Sequence, residues 1–299
     1  MMLKAFQLLS SNTRAALLIV LATSFVAGTM ILAKSLGTDR LGDGLHPLQI
    51  SAGRFTFAWC ALITVFAIRR PVIKSPNMKL HLSRSILGWG GVTLMFAAAA
   101  LIPLSDATAI SFLNPVFAMV LAIPFLGERI GRYRWLAAVL ALIGAMVLLR
   151  PSTGSIQLAG LLALCAAVLM GAELIVMKII TRRESGFQIL LLNNSIGICI
   201  SLFAASFVWQ MPSSNQWIAL IALGLLMVCA QTCYITAMAM ADASYVAPFS
   251  YMTLVFAALY DFAIFAQIPD RFSLIGAALI LTGAVLLAWR ENLHKQAKI

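Results

Sequence analysis

Continuous apolar runs of about twenty residues recur along the chain, and they constrain its fold more than any other feature. A run of that length crosses a hydrocarbon core of about 30 Å as an α-helix. Within a bilayer every backbone N–H and C=O must be satisfied internally, so only helices or a closed barrel can cross. Barrel strands alternate apolar and polar side chains, and these runs do not. Composition agrees: 62% of the residues are hydrophobic and 10% charged, against about 25% charged in soluble domains. The expectation is an all-α membrane protein.

Ten transmembrane helices are expected, at 14–33, 47–68, 85–104, 107–126, 135–149, 158–178, 187–209, 216–239, 245–266 and 272–289. The third and fourth are separated only by Leu104-Ser105-Asp106, with Pro103 helping to end the third. One crossing over 85–126 would be far too long.

Lys and Arg in the loops set the orientation. With the N-terminus in the cytoplasm, the inner side holds sixteen: Lys4, Arg14, Arg69, Arg70, Lys74, Lys79, Arg84, Arg129, Arg132, Arg134, Lys178, Arg182, Arg183, Arg290, Lys295 and Lys298. The outer side holds four: Lys34, Arg40, Arg150 and Arg271. Both termini are therefore expected in the cytoplasm and the chain in the cell inner membrane. The net charge of +11 would indicate nucleic acid in a soluble protein. Here it sits in short loops beside anionic headgroups, so the bilayer is the expected partner and nucleic acid is not. Lys4 and Arg14 before an apolar run resemble a signal peptide, but Ala15 to Leu32 is long for one and is read as a helix. Cys60, Cys165, Cys199, Cys229 and Cys233 all fall inside apolar runs and are read as small core residues, without disulfide or metal spacing.

Residues 105–150 and 241–290 look alike. Both open on a small residue, Asp, Ala and a hydroxyl residue, at Ser105-Asp106-Ala107-Thr108 and Ala241-Asp242-Ala243-Ser244. Both carry an early proline, Pro115 and Pro248, and both close on Gly-Ala before a leucine-rich end, at Gly144-Ala145 and Gly283-Ala284. Five crossings per half is an odd number, so the second half must enter the membrane inverted. Two inverted five-helix repeats, 1–151 and 152–299, are a recurring plan of secondary transporters.

The chain resembles the EamA-type branch of the drug/metabolite transporter superfamily over nearly its whole length. The carriers are the duplicated unit, the Gly127-Glu128 pair closing the fourth crossing, and the stretches Ile143 to Ala145 and Thr282 to Ala284. One departure is Ala266-Gln267 where the second repeat should show Gly-Glu. The resemblance implies a central cavity lined by crossings 1, 3, 4, 6, 8 and 9, with 5 and 10 peripheral. Leu87-Gly88-Trp89-Gly90-Gly91 and the run Asp242 to Pro248 are similar to bacterial metabolite permeases, the riboflavin-permease group among them.

Ionisable groups inside a crossing are costly and mark cavities or partners. Arg54 either recognises an anionic or carbonyl group, forms a structural ion pair, or snorkels to the outer interface. Glu173 binds solute, carries a coupling proton, or pairs with Lys178. Asp261 is either functional or solvated at the outer interface. Asn114 and Pro115 are read either as a helix break that frees backbone groups for a solute or as a simple kink; Pro248 offers the same choice in crossing nine. Asn193-Asn194 and Gln231-Thr232 supply donors and acceptors, or hold helices together. Tyr234, Tyr245 and Tyr251 add aromatic faces nearby. Glu128 is read as a loop ion pair.

No phosphate-binding Gly-rich loop ending in Lys-Ser/Thr and no His-Glu-x-x-His occurs, so no enzyme, cofactor or metal is expected. The expected function is alternating-access transport of a small organic solute, riboflavin first and amino acids or related metabolites for export second. A coupling proton is a candidate partner. A non-transporting membrane partner or sensor is the competing class.

Overall fold

The computed structural model describes residues 11–71, 73, 75–126, 132–149, 158–180, 184–240, 249 and 252–296. Among these the regular structure is helical: α1 (Ser11–Gly37), α2 (Pro47–Arg69), α3 (Met78–Leu101), α4 (Leu104–Ser111), α5 (Asn114–Leu126), α6 (Arg132–Leu149), α7 (Leu158–Ile180), α8 (Gly186–Ser206), α9 (Ser214–Met240), α10 (Met252–Phe265) and α11 (Arg271–Gln296). Local chemistry sets several starts. Pro47 opens α2, where its missing N–H costs nothing, and the His46 ring accepts from the Leu48 N–H. Asn77 and Ser185 cap α3 and α8 by accepting from the Leu80 and Gln188 N–H groups.

Seven segments are long and apolar enough to cross a membrane, and Ala138–Val147, Met252–Phe265 and Arg271–Gly283 are shorter apolar helices. Helices α4 and α5 together make one such segment, Leu104–Phe125. It is interrupted at Phe112-Leu113, immediately before Asn114 and Pro115. Proline cannot supply the N–H that a continuous helix needs there. Close approach holds the broken segment: a Cβ on Gly171 of α7 would lie 2.8 Å from the Asn114 carbonyl oxygen.

The burial pattern is that of a protein dissolved in lipid. Leu17, Ile68, Phe125, Leu136, Phe203 and Ile218 are exposed, while Lys34, Arg54, His81, Arg84 and Asp261 are buried. The helices pack in pairs: α6 along α11, α1 along α9, α3 along α7, and α2 along α8. Further contacts join α9 to α2, α8 to α3, α5 to α7 and α10 to α1.

Three sequence expectations need correction. Arg84 lies two turns inside α3, not in a loop, because Asn77 starts that helix earlier than hydropathy alone suggests. Lys34 lies in the last turn of α1, buried, not in an outer loop. Cys60, Cys165, Cys199 and Cys229 are exposed on helix faces rather than core residues.

Candidate functional site

At one end of the bundle α1 and α3 finish, α2, α4 and α9 begin, and α10 finishes. Polar groups seal this end. Lys34 Nζ lies 2.5 Å from Asp261 Oδ1 and donates to Gln267 Oε1 at 3.0 Å. Asp261 Oδ2 accepts from the Leu104 N–H at 2.7 Å, which fixes the start of α4. Gln49 donates through Nε2 to the Gln210 carbonyl and accepts from the Gln210 N–H. Gln216 Nε2 donates to the Asp43 carbonyl and Ser213 Oγ to the Leu41 carbonyl.

The opposite end holds a cavity of about 260 Å³. Thr23 of α1, Arg84 of α3, Met177 of α7, Leu190 of α8, Gln231 and Tyr234 of α9 and Thr253 of α10 line it. In terms of crossings these are 1, 3, 6, 7, 8 and 9. Among the described lining residues crossing 7 contributes Leu190, and none belongs to crossing 4.

Arg84 joins this cavity to a buried charge cluster. Its Nη2 lies 3.3 Å from Glu173 Oε1, and its Nε donates to Met177 Sδ at 3.1 Å. Gly88, one turn along α3, leaves room for the Glu173 carboxylate; a Cβ there would lie 3.0 Å from Glu173 Cδ. Arg54, 4% exposed, is close enough to exert its charge on Glu173 and Arg84. Its guanidinium lies 4.4 Å from the ring centroid of Phe55. The Nη1 atoms of Arg54 and Arg84 and Nε1 of Trp89 are buried without a hydrogen-bond partner. Nearer the end of α3, His81 Nε2 lies 2.8 Å from Glu184 Oε2, which also accepts from Gln188 Nε2 at 2.6 Å.

The expected site residues thus divide. Gln231 and Tyr234 line the cavity, and Glu173 is joined to it through Arg84. Asn193 accepts from Ser85 Oγ at 3.2 Å, and Asn194 donates to the Leu190 carbonyl of its own helix at 2.8 Å; neither lines the described cavity. Asp261 belongs to the seal at the other end; it is neither solvated nor near the cavity. Asn114 is half-buried at the start of α5. Tyr245, Pro248, Tyr251 and Glu128 lie outside the described residues, as do the side chains of Pro115 and Lys178. Arg84, Lys34 and Trp89 were missed. A polar stripe at His81, Arg84, Ser85 and Gly88 has helical spacing and was the available signal.

A lipid-exposed helical bundle with buried charge and an internal cavity defines a multi-pass membrane protein. The profile of the EamA-like transporter family matches residues 13–150 and again 157–289, and the chain belongs to that family: it is a transporter, not an enzyme. It is 30% identical to an S-adenosylmethionine uptake transporter of Rickettsia felis over 87% of this chain and 89% of that one. It is 34% identical to a riboflavin transporter of Rhizobium johnstonii over 73% and 72% of the two chains. It is 26% identical to a pseudopaline exporter of Pseudomonas aeruginosa over 71% and 75%. A solved crystal structure shares the fold, with a TM-score of 0.63 at 20% identity, over 91% of this chain and 96% of the other.

Proposed function

We propose that the chain is a ten-crossing secondary transporter of the cell inner membrane that moves a small polar metabolite by alternating access. Both termini face the cytoplasm, and the described state is inward-facing. The observation that supports this reading is the asymmetry among the described residues: at one end a largely apolar cavity edged by Thr23, Arg84, Gln231, Tyr234 and Thr253, at the other a hydrogen-bonded seal. The excess of Lys and Arg supports placing the cavity end in the cytoplasm; the bias survives moving Arg84 and Lys34 into helices.

Packing supports two inverted repeats, 1–151 and 152–299. Exchange α1 with α7, α2 with α8, α3 with α9, α4–α5 with α10, and α6 with α11. The pair α1–α9 then becomes α7–α3, α9–α2 becomes α3–α8, and α10–α1 becomes α5–α7. The pairs α2–α8 and α6–α11 map onto themselves. All of these contacts are present. Such a bundle can exchange the conformations of its halves and open to either side. Solute drives the exchange only by binding the two states differently.

Riboflavin and S-adenosylmethionine, the substrates named for two relatives, are the leading solutes. Each carries a flat nitrogen-rich ring system that Tyr234 and Gln231 suit. The second direction, export of amino acids or related metabolites, is favoured by the Arg84–Glu173 pair, which matches a zwitterion. Uptake and efflux of labelled riboflavin, S-adenosylmethionine and amino acids in cells overproducing the chain test this. Saturable flux of one class above control cells is expected. A correctly inserted protein that moves none of them overturns the reading in favour of a non-transporting partner or sensor.

A further inference from the structure

We propose that Arg54, Arg84 and Glu173 form the recognition point for a carboxylate on the transported solute, and that this solute is amphoteric. The inference rests on the transport reading and narrows its substrate class. Two guanidinium groups and one carboxylate leave one positive charge in excess at membrane depth. A buried charge without a partner is expensive. The other buried Lys or Arg ion pair, Lys34 with Asp261 at the far end, is internally matched, and His81 is hydrogen-bonded to Glu184 towards the near end of α3.

The donors are also in excess. Arg54 and Arg84 are 4% and 5% exposed, yet each holds an Nη1 with no hydrogen-bond partner. Buried donors of this kind are normally paired. Arg84 lines the cavity, so the cluster is reached from it. The missing group is an acceptor with one negative charge. A carboxylate fits: it balances the excess and takes the planar fork of an arginine with both oxygens. A doubly charged phosphate would reverse the imbalance. When the incoming carboxylate draws Arg84 towards the cavity, Glu173 loses part of its partner. A cation on the same solute restores it, and hence the solute carries both signs.

The test compares solutes that differ in one group. Thermal stabilisation of the detergent-solubilised full chain is titrated with S-adenosylmethionine, its decarboxylated analogue, methionine, methionine methyl ester and riboflavin. At least one of the two carboxylate-bearing probes is expected to bind about tenfold or more tightly than its carboxylate-free analogue, the size of a lost charge-assisted hydrogen bond. This comparison uses the natural chain and does not depend on a variant folding. Arg84→Gln and Arg54→Gln should erase the discrimination, and Arg84→Lys should retain part of it. Equal binding of each pair overturns the proposal, as does failure of both carboxylate-bearing probes to bind. If riboflavin crosses the membrane with unchanged KM in both Gln variants, transport stands and the carboxylate site falls. If no solute crosses, transport falls, and the binding comparison still decides the site.

Discussion

Lys34 and Asp261, 227 residues apart in sequence, meet at 2.5 Å where α1 and α10 end, and both are almost fully buried. The same carboxylate holds the first N–H of α4. One ion pair thereby ties three helices across the end of the bundle opposite the cavity. Under the alternating-access reading proposed above, this end opens when the cavity end closes, and the pair is one of the contacts that break.

Lys34→Met leaves Asp261 buried without its cation. Removing one partner of a buried pair costs about 3–5 kcal/mol. The expected outcome is a lower thermal unfolding midpoint in detergent, with part of the loss recovered in Lys34→Met/Asp261→Asn. Equal midpoints for all three proteins would contradict a buried pair.

Ala266 follows α10 at φ 54°, in the left-handed region that penalises a Cβ. It occupies the position where the repeat pattern calls for glycine. Ala266→Gly should stabilise the chain by about 1 kcal/mol, as relief of strain outweighs the added freedom of the unfolded chain. Thermal unfolding measures the sign.

Gly88→Ala puts a methyl group about 3.0 Å from the Glu173 carboxyl. Glu173 is the end of a flexible side chain and can yield, so the fold should survive while the Arg84–Glu173 geometry does not. Initial flux should fall about tenfold, the scale of one hydrogen bond to a charged group, with little change in unfolding midpoint. Unchanged flux would show that this pair is not used.

Gln231 is half-buried and lines the cavity. In a chain with its native cysteines replaced, Gln231→Cys should react with a membrane-impermeant thiol reagent from the cytoplasmic side, and bound solute should slow that reaction several-fold. Labelling only from the outer side would reverse the assigned orientation.

Much of the architecture was legible because the bilayer allows few solutions: apolar runs of crossing length can be little else but helices. The break before Asn114 and Pro115 followed from proline's missing donor. Helix ends were less legible. Arg84 and Lys34 look like loop residues to any reading of hydropathy, since their burial depends on Glu173 and Asp261, which arrive from distant segments. Asp261 was misread for the same reason: a lone carboxylate near a crossing's end looks solvated until its lysine is placed. Asn193 and Asn194 show the limit from the other side, for polarity inside a helix did not reveal that Ser85 of α3 and the Leu190 carbonyl would be their partners.

Counterflow tests the transport claim most directly. Proteoliposomes containing the chain are loaded with unlabelled S-adenosylmethionine or riboflavin and diluted into trace labelled solute. A carrier with one site facing each side in turn should give a transient, saturable accumulation of label, abolished by Gln231→Trp, which fills the cavity. Label that merely equilibrates at the rate of protein-free vesicles, for both solutes and for amino acids, would contradict it.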